Sequence, residues 1–286
     1  MTDQTPPVDL YGATRDLPGH DRNARPSSDV TQDLPHGGSS SSPAVNPASL
    51  RPGDVFAERY EIVSAVARGG FSFVFRARDL TDQSSVALKF LSSRDAGPDI
   101  ATRMQRELRL ARDLRHPNIV RVFDLVESEG FLCLTMEFVE GRTLKELIVG
   151  RNPLPVGEAV GILSRLASAI AAVHSAGVVH RDLKPQNVIV TAGGDVKLLD
   201  FGLARTPDST GLTVTGTILG TPEYMSPEQV EGKVADSRSD VYSLGIIGFE
   251  LLAGSPPFRG DNALAVALQH IRARVPDVRK LRPETP

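Results

Sequence analysis

"HRDLKPQN", residues 180–187, is the stretch on which the reading of this chain turns. It sets a carboxylate, an ammonium and a carboxamide, Asp182, Lys184 and Asn187, within one short loop. Three further segments stand in order around it. "ARGGFSFVF" (67–75) comes first; "VALK" (86–89) then puts Lys89 on a strand whose alternation turns it to one side. "DFG" (200–202) follows the loop and puts Asp200 at a strand end. The first of these looks like a phosphate-cradling loop with glycines missing. Backbone that wraps a triphosphate must bend sharply and approach closely, which glycine permits. Gly69 and Gly70 are present, but Ala67 and Ser72 flank them.

The surroundings are those of a globular protein. The chain has 286 residues, 40% of them hydrophobic and 23% charged, with a net charge of -3. Bulk charge therefore favours neither a nucleic acid nor a membrane surface as partner. The single cysteine, Cys133, excludes an intrachain disulfide and suits a reducing, cytoplasmic setting. No signal peptide and no uncharged run of about 18 apolar residues is visible, so no membrane span is expected within these residues.

Residues 1–50 hold seven Pro, seven Ser and one aromatic residue, Tyr11. Such a segment buries too little apolar surface to offset its ordering entropy, and a disordered tail is expected. Thr-x-Asp-Leu-Pro occurs in it twice, at Thr14 and Thr31, which marks both threonines as candidate docking or phosphorylation sites. A folded domain is expected over 51–286. "RYEIVSAVA", "FSFVFRARD" and "SSVALKFL" read as three antiparallel strands. A helix over 98–115 and a hairpin over 118–140 follow. "VVHRDL", "NVIVT" and "DVKLLDF" read as short strands, and 157–177, 239–254 and 261–275 as helices. The coarse picture is a small β-rich lobe (about 57–138) followed by a helical lobe (about 142–286).

Taken in this order and at this spacing, the four segments resemble the eukaryotic-type protein kinases, and most nearly their bacterial serine/threonine members. The resemblance covers residues 57–286 or so. It implies an α+β, two-lobed fold: an antiparallel N-lobe sheet with one helix, and a mainly α-helical C-lobe. It implies ATP and Mg²⁺, with Mn²⁺ as a substitute, and transfer of phosphate to Ser or Thr of protein substrates in signal transduction. By that resemblance Lys89, paired with Glu107, contacts phosphates; Asp200 and Asn187 hold the metal; Asp182 orients the substrate hydroxyl and takes its proton; Lys184 offsets charge on the transferring group. Val66, Ala67, Gly69, Gly70, Ser72, Val74 and Ala87 line the nucleotide from above and Ile189 from below. Met136 is the gatekeeper, and Glu137, Phe138 and Val139 form the hinge. Thr221 bonds the catalytic pair, and His180 is structural. Arg181 beside Asp182 implies control by phosphate on the loop after DFG, at Thr213 or Thr215. A kinase-domain dimer and phosphothreonine-reading domains at Thr14 or Thr31 are the implied partners besides substrates. A pseudokinase that binds nucleotide without turnover is the competing reading.

One clue is independent of the family. Of 32 basic residues only six are lysines, and two of the six are Lys89 and Lys184. That is consistent with sites needing a compact ammonium. Two departures from the family stand out. Ala67 and Ser72 replace its outer loop glycines, and weaker ATP affinity is expected, since Ala dislikes positive φ. The family also continues past Pro286 with two helices, one carrying an arginine that pairs with the glutamate of "SPE" (226–228). Glu228 is accordingly expected without a partner, as in a fragment whose parent could be membrane-anchored.

Overall fold

The computed structural model describes residues 47–68, 72–91, 112–128, 131–151, 153–200, 211–212, 218–219 and 221–285. Glu107, Gly69, Gly70, Thr14, Thr31, Thr213 and Thr215 lie outside them, as does most of the helix expected over 98–115.

Alternating β-branched and aromatic residues build the first lobe as an antiparallel six-stranded sheet. Its strands are β1 (Val55–Phe56), β2 (Tyr60–Arg68), β3 (Ser72–Asp79), β4 (Ser85–Leu91), β5 (Val122–Ser128) and β6 (Phe131–Glu137), in the order β1-β2-β3-β4-β6-β5. Period-two alternation divides the sheet into two apolar faces. One face holds Phe56, Phe75 and Phe90, whose rings meet edge to face at centroid distances of 4.9 and 5.8 Å. Leu50, the last residue assigned above to the N-terminal tail, is buried in this core. The other face, with Val74, Ala87, Leu134 and Met136, belongs to the core of the second lobe.

The second lobe opens with β7 (Arg142–Thr143) and helix α1 (Leu144–Gly150). Thr143 caps α1 reciprocally with Glu146: the Glu146 N–H donates to the Thr143 hydroxyl, and the Thr143 N–H to the Glu146 carboxylate (3.1 and 2.8 Å). Helix α2 (Val156–Ser175) buries Ala159, Ile162, Leu166, Ala169, Ile170 and Val173, spaced as one stripe. It is the one described helix long and apolar enough to cross a membrane by length and composition, yet that stripe is packed in the lobe's core. Strands β8 (Val188–Val190) and β9 (Val196–Leu198) pair with β7 in the order β7-β8-β9. Two short strands, β10 (Gly211–Leu212) and β11 (Ile218–Leu219), pair antiparallel. Helix α3 (Pro227–Val230) then leads to α4 (Ser237–Ala253), capped by Asp236 and ended by Gly254 in the left-handed region at φ 80°. Gly248, buried where α4 packs on α2, matters: a Cβ there would sit 3.2 Å from Leu163 of α2. Helix α5 (Ala263–Arg272) stops short of the expected 275, since Ala273 turns extended ahead of Pro276. Arg282 ties the C-terminal segment down by donating to the carbonyls of Leu252 (3.2 Å) and Leu154.

One expected strand is absent. Residues 178–184 form no β-ladder: the amides of His180 and Arg181 bond to a side chain described below, and that of Val178 to the Val173 carbonyl.

At the open end of β3, Asp79 pairs with Arg59 at 2.6 Å and accepts the Thr81 N–H at 2.9 Å. The Arg59 hydrogen bond holds the buried Asp79 carboxyl below the ordinary carboxylate range. Its stabilisation is therefore complete above the unfolded pKa of about 3.9 and is lost as the pH falls through the lower folded value. Asp79→Asn is expected to lower stability at pH 7 by roughly 1–2 kcal/mol, since the half-exposed Arg59 regains water. Melting curves from pH 7 down to 3 check this: the gap between wild type and variant should close with acid.

Candidate active site

Helix α4 sets the loop that carries Asp182. Asp240, in the first turn of α4 and 1% exposed, accepts the backbone N–H groups of His180 and Arg181, both at 2.8 Å. His174, at the end of α2, approaches the same carboxylate at 2.7 Å. The Arg181 carbonyl accepts from Gln229 of α3 at 2.8 Å. Arg181 has φ +63°, a conformation costing a non-glycine residue about 1–2 kcal/mol. Its peptide groups are thus gripped on both sides by side chains from two helices, which is how such strain is sustained. Sequence reasoning missed Asp240; the available signal was a carboxylate inside an apolar helical run. His180 is fully buried. Its Nδ1 accepts the Asp182 N–H at 3.3 Å, so its Nε2–H donates to the Leu199 carbonyl at 3.0 Å. Both contacts are structural.

On this loop the three polar groups converge. Lys184 Nζ lies 3.1 Å from the Asp182 carboxylate and 3.4 Å from the Thr221 hydroxyl. The Asn187 amide donates to the Asp182 carbonyl at 2.8 Å and to its carboxylate at 3.2 Å. Asp200 also has positive φ, 51°, and pairs with Lys89 at 2.7 Å. Both side chains are largely buried, at 15% and 11% exposure, so this pair is poorly screened. With Asn187's amide nitrogen engaged, its side-chain oxygen and the Asp200 carboxylate are each hard oxygen donors. Mg²⁺ is commonly held by one or two such groups plus substrate phosphates, and these residues fit it.

The face of the sheet that packs against the second lobe is read from register. Ala67, Val74, Lys89 and Leu134 form one cross-strand row; Arg76, Ala87 and Met136 form the next. Val66, Ala67, Val74, Ala87, Met136 and Val139 pack in one cluster with Ile189 of β8 from the other lobe. Glu137 ends β6, and Phe138 follows with the Arg76 guanidinium 4.7 Å from its ring centroid. Gly141 then closes the connection on β8: a Cβ there would lie 2.6 Å from both Ile189 Cγ2 and the Val190 carbonyl oxygen. Only glycine allows that approach.

Two expectations are corrected. Ala67 is an ordinary residue of β2, paired with Val74, and its φ is not positive. The strain argument against Ala therefore fails there. Ser72 starts β3 opposite Leu91. Glu228 does have a partner: the Ser239 hydroxyl donates to its carboxylate. Burial pushes the Glu228 carboxyl up, but hydrogen bonds led by Ser239 outweigh it and hold the group below its ordinary value. Nearby, Tyr224 donates to buried Glu250 at 2.6 Å, and Lys145 of α1 pairs with the same carboxylate at 2.7 Å. Burial, then the Glu250 charge, raises the Tyr224 phenol far above its ordinary value, so it stays a donor. This network fixes the 222–224 turn beside Thr221.

A two-lobed sheet-and-helix fold with this constellation between the lobes defines the class, and comparison with known proteins agrees. A family model described as "Protein kinase domain" matches residues 60–285. The chain is 45% identical over 236 residues to a probable serine/threonine-protein kinase PknB of Lactococcus lactis, covering 82% of this chain and 38% of that protein. It is 41% identical over 229 residues to the serine/threonine-protein kinase PrkC of Bacillus subtilis, covering 80% and 35% respectively. It is 45% identical over 219 residues to the serine/threonine-protein kinase PknL of Mycobacterium tuberculosis, covering 76% and 55%. This chain belongs to the protein kinase domain family. It spans between about a third and just over half the length of these relatives.

Two outcomes follow from the geometry. Asp240→Asn presents the loop with one acceptor oxygen fewer. It should destabilise the protein by about 3–5 kcal/mol, the usual cost of breaking a buried charged network. Calorimetry reads that loss, and phosphate-transfer assays should show kcat falling far more than KM for ATP rises. Ala67→Gly, by contrast, should leave KM for ATP within about twofold of wild type, since no positive φ is relieved.

Proposed function

We propose that this domain is a serine/threonine protein kinase, transferring the γ-phosphate of ATP to hydroxyls of itself and of partner proteins in signal transduction. The observations that carry the reading are the convergence of Lys184 and Asn187 on the Asp182 carboxylate and the Lys89–Asp200 pair that joins the two lobes. Phosphoryl transfer asks mainly for positioning and charge neutralisation, and this set supplies both. The substrate oxygen forms a bond to the γ-phosphorus as the bond to the bridging β–γ oxygen breaks. The hydroxyl proton passes to Asp182, and ADP leaves. Lys184, 3.1 Å from the Asp182 carboxylate, would offset charge on the moving group. Lys89 holds phosphate oxygens, with Glu107 as its second proposed partner. Asp200 and Asn187 would hold Mg²⁺, which supplies charge neutralisation on the phosphates. Val66, Val74, Ala87 and Ile189 sandwich the base, and the backbone of 137–139 bonds it beside Met136. Thr213 and Thr215 are proposed as activating phosphosites that would pair with Arg181. Thr14 and Thr31 are proposed to recruit phosphothreonine-reading domains.

The test is incubation with Mg²⁺ and labelled ATP, followed by phosphosite mapping, beside Asp182→Asn. Label should appear on Thr213 or Thr215 in wild type and be lost in the variant. Equal label in both proteins overturns the kinase reading; label only outside 203–225 overturns the loop phosphosites alone.

A further inference from the structure

Strand β9 and the residues just after it send two ionic groups of opposite sign to the other lobe. Lys197 lies at its centre, and its Nζ sits 2.9 and 3.2 Å from the two carboxylate oxygens of Glu137, the last residue of β6. Three residues on, Asp200 reaches Lys89 of β4. One pair is a C-lobe cation on an N-lobe anion, the other the reverse. They grip the N-lobe sheet at the start of the hinge and at the phosphate-holding lysine respectively.

Glu137 is held in place for this contact. Its N–H donates to the Arg121 carbonyl at 2.8 Å, and its carboxylate accepts the Arg121 N–H at 3.2 Å. Strand β9 is equally fixed: Leu198 bonds the Asn118 carbonyl and the Val120 N–H at 2.8 and 2.9 Å. The pair is only part-buried, at 20% exposure for Lys197 and 33% for Glu137, so it can open. The lysine is also out of character for the chain. Five of its six lysines make ion pairs with carboxylates, and two of those pairs, at 89 and 197, cross between the lobes, although Arg supplies most of the 32 cations.

We infer that Lys197 is a positioning residue for nucleotide binding: its pair with Glu137 is an interlobe latch that holds the hinge in register with the strand delivering Asp200. The inference rests on the kinase reading of the cleft. Opening the latch frees the hinge while leaving Asp182, Lys184 and Asn187 in place, so the loss falls on ATP binding rather than on transfer from the bound state.

In the full chain, Lys197→Met and Glu137→Gln should each raise KM for ATP about three- to tenfold, toward the low end of pairwise couplings for residues in contact because the pair is part-exposed. In Lys197→Met the value of kcat at saturating ATP should stay within about twofold. Lys197→Arg should restore most of the loss, and the two disruptive variants combined should do no more than either alone. A purely structural lysine would lower the melting temperature without this split. Unchanged KM in Lys197→Met, or additive effects in the double variant, overturns the latch. If wild type shows no Asp182-dependent transfer, the kinase reading fails instead. The latch is then decided by hydrogen exchange of the 137–140 amides without nucleotide: faster exchange in Lys197→Met supports it, and unchanged exchange overturns it.

Discussion

The buried carboxylate of Asp240 is the constraint on which the site depends. Two adjacent backbone N–H groups, from His180 and Arg181, would otherwise lie inside the protein with no ladder partner. A buried unpaired amide costs about 1–3 kcal/mol, so the loop can leave β-structure only because one side chain accepts both. Asp240 in turn sits in the first turn of α4, where the helix dipole favours negative charge. Once residues 180 and 181 are pinned, Asp182 and Asn187 follow within one loop.

A second constraint is the double-faced sheet. One face closes on its own aromatic cluster around Phe56, Phe75 and Phe90. The other shares a core with the helical lobe through Ile189, Met136 and Val139. A nucleotide placed there would enter a cluster whose walls belong to different lobes. That is why ion pairs crossing between lobes, at Lys89–Asp200 and Lys197–Glu137, bear on the cleft more than surface pairs such as Arg238–Asp236 do.

Much of this was legible in sequence. Strands β2 to β6 are announced by alternation and by turn residues, and α2 and α4 by apolar periodicity, because burial itself imposes those patterns. The residues of "HRDLKPQN", Lys89 and Asp200 were legible as a set from their order and spacing, and the structure brings them into the contacts described. The failures have a common cause. "VVHRDL" has the composition of a strand, but its hydrogen bonds go to side chains about 60 residues away. Glu228 finds Ser239 eleven positions on, across a turn that composition does not describe. At Ala67 the motif position suggests a left-handed backbone that strand β2 does not adopt.

By itself, then, the sequence determined the class of protein, the two-lobed architecture and the residue types available for phosphate chemistry, since these depend on local pattern and on the reactivity of individual side chains. Only the tertiary structure decided which groups hold them in place. Asp240, Gln229, Gly141 and Lys197 act through contacts between elements distant in the chain. The need for a buried acceptor, a missing Cβ or a matched charge arises only when those elements are packed together.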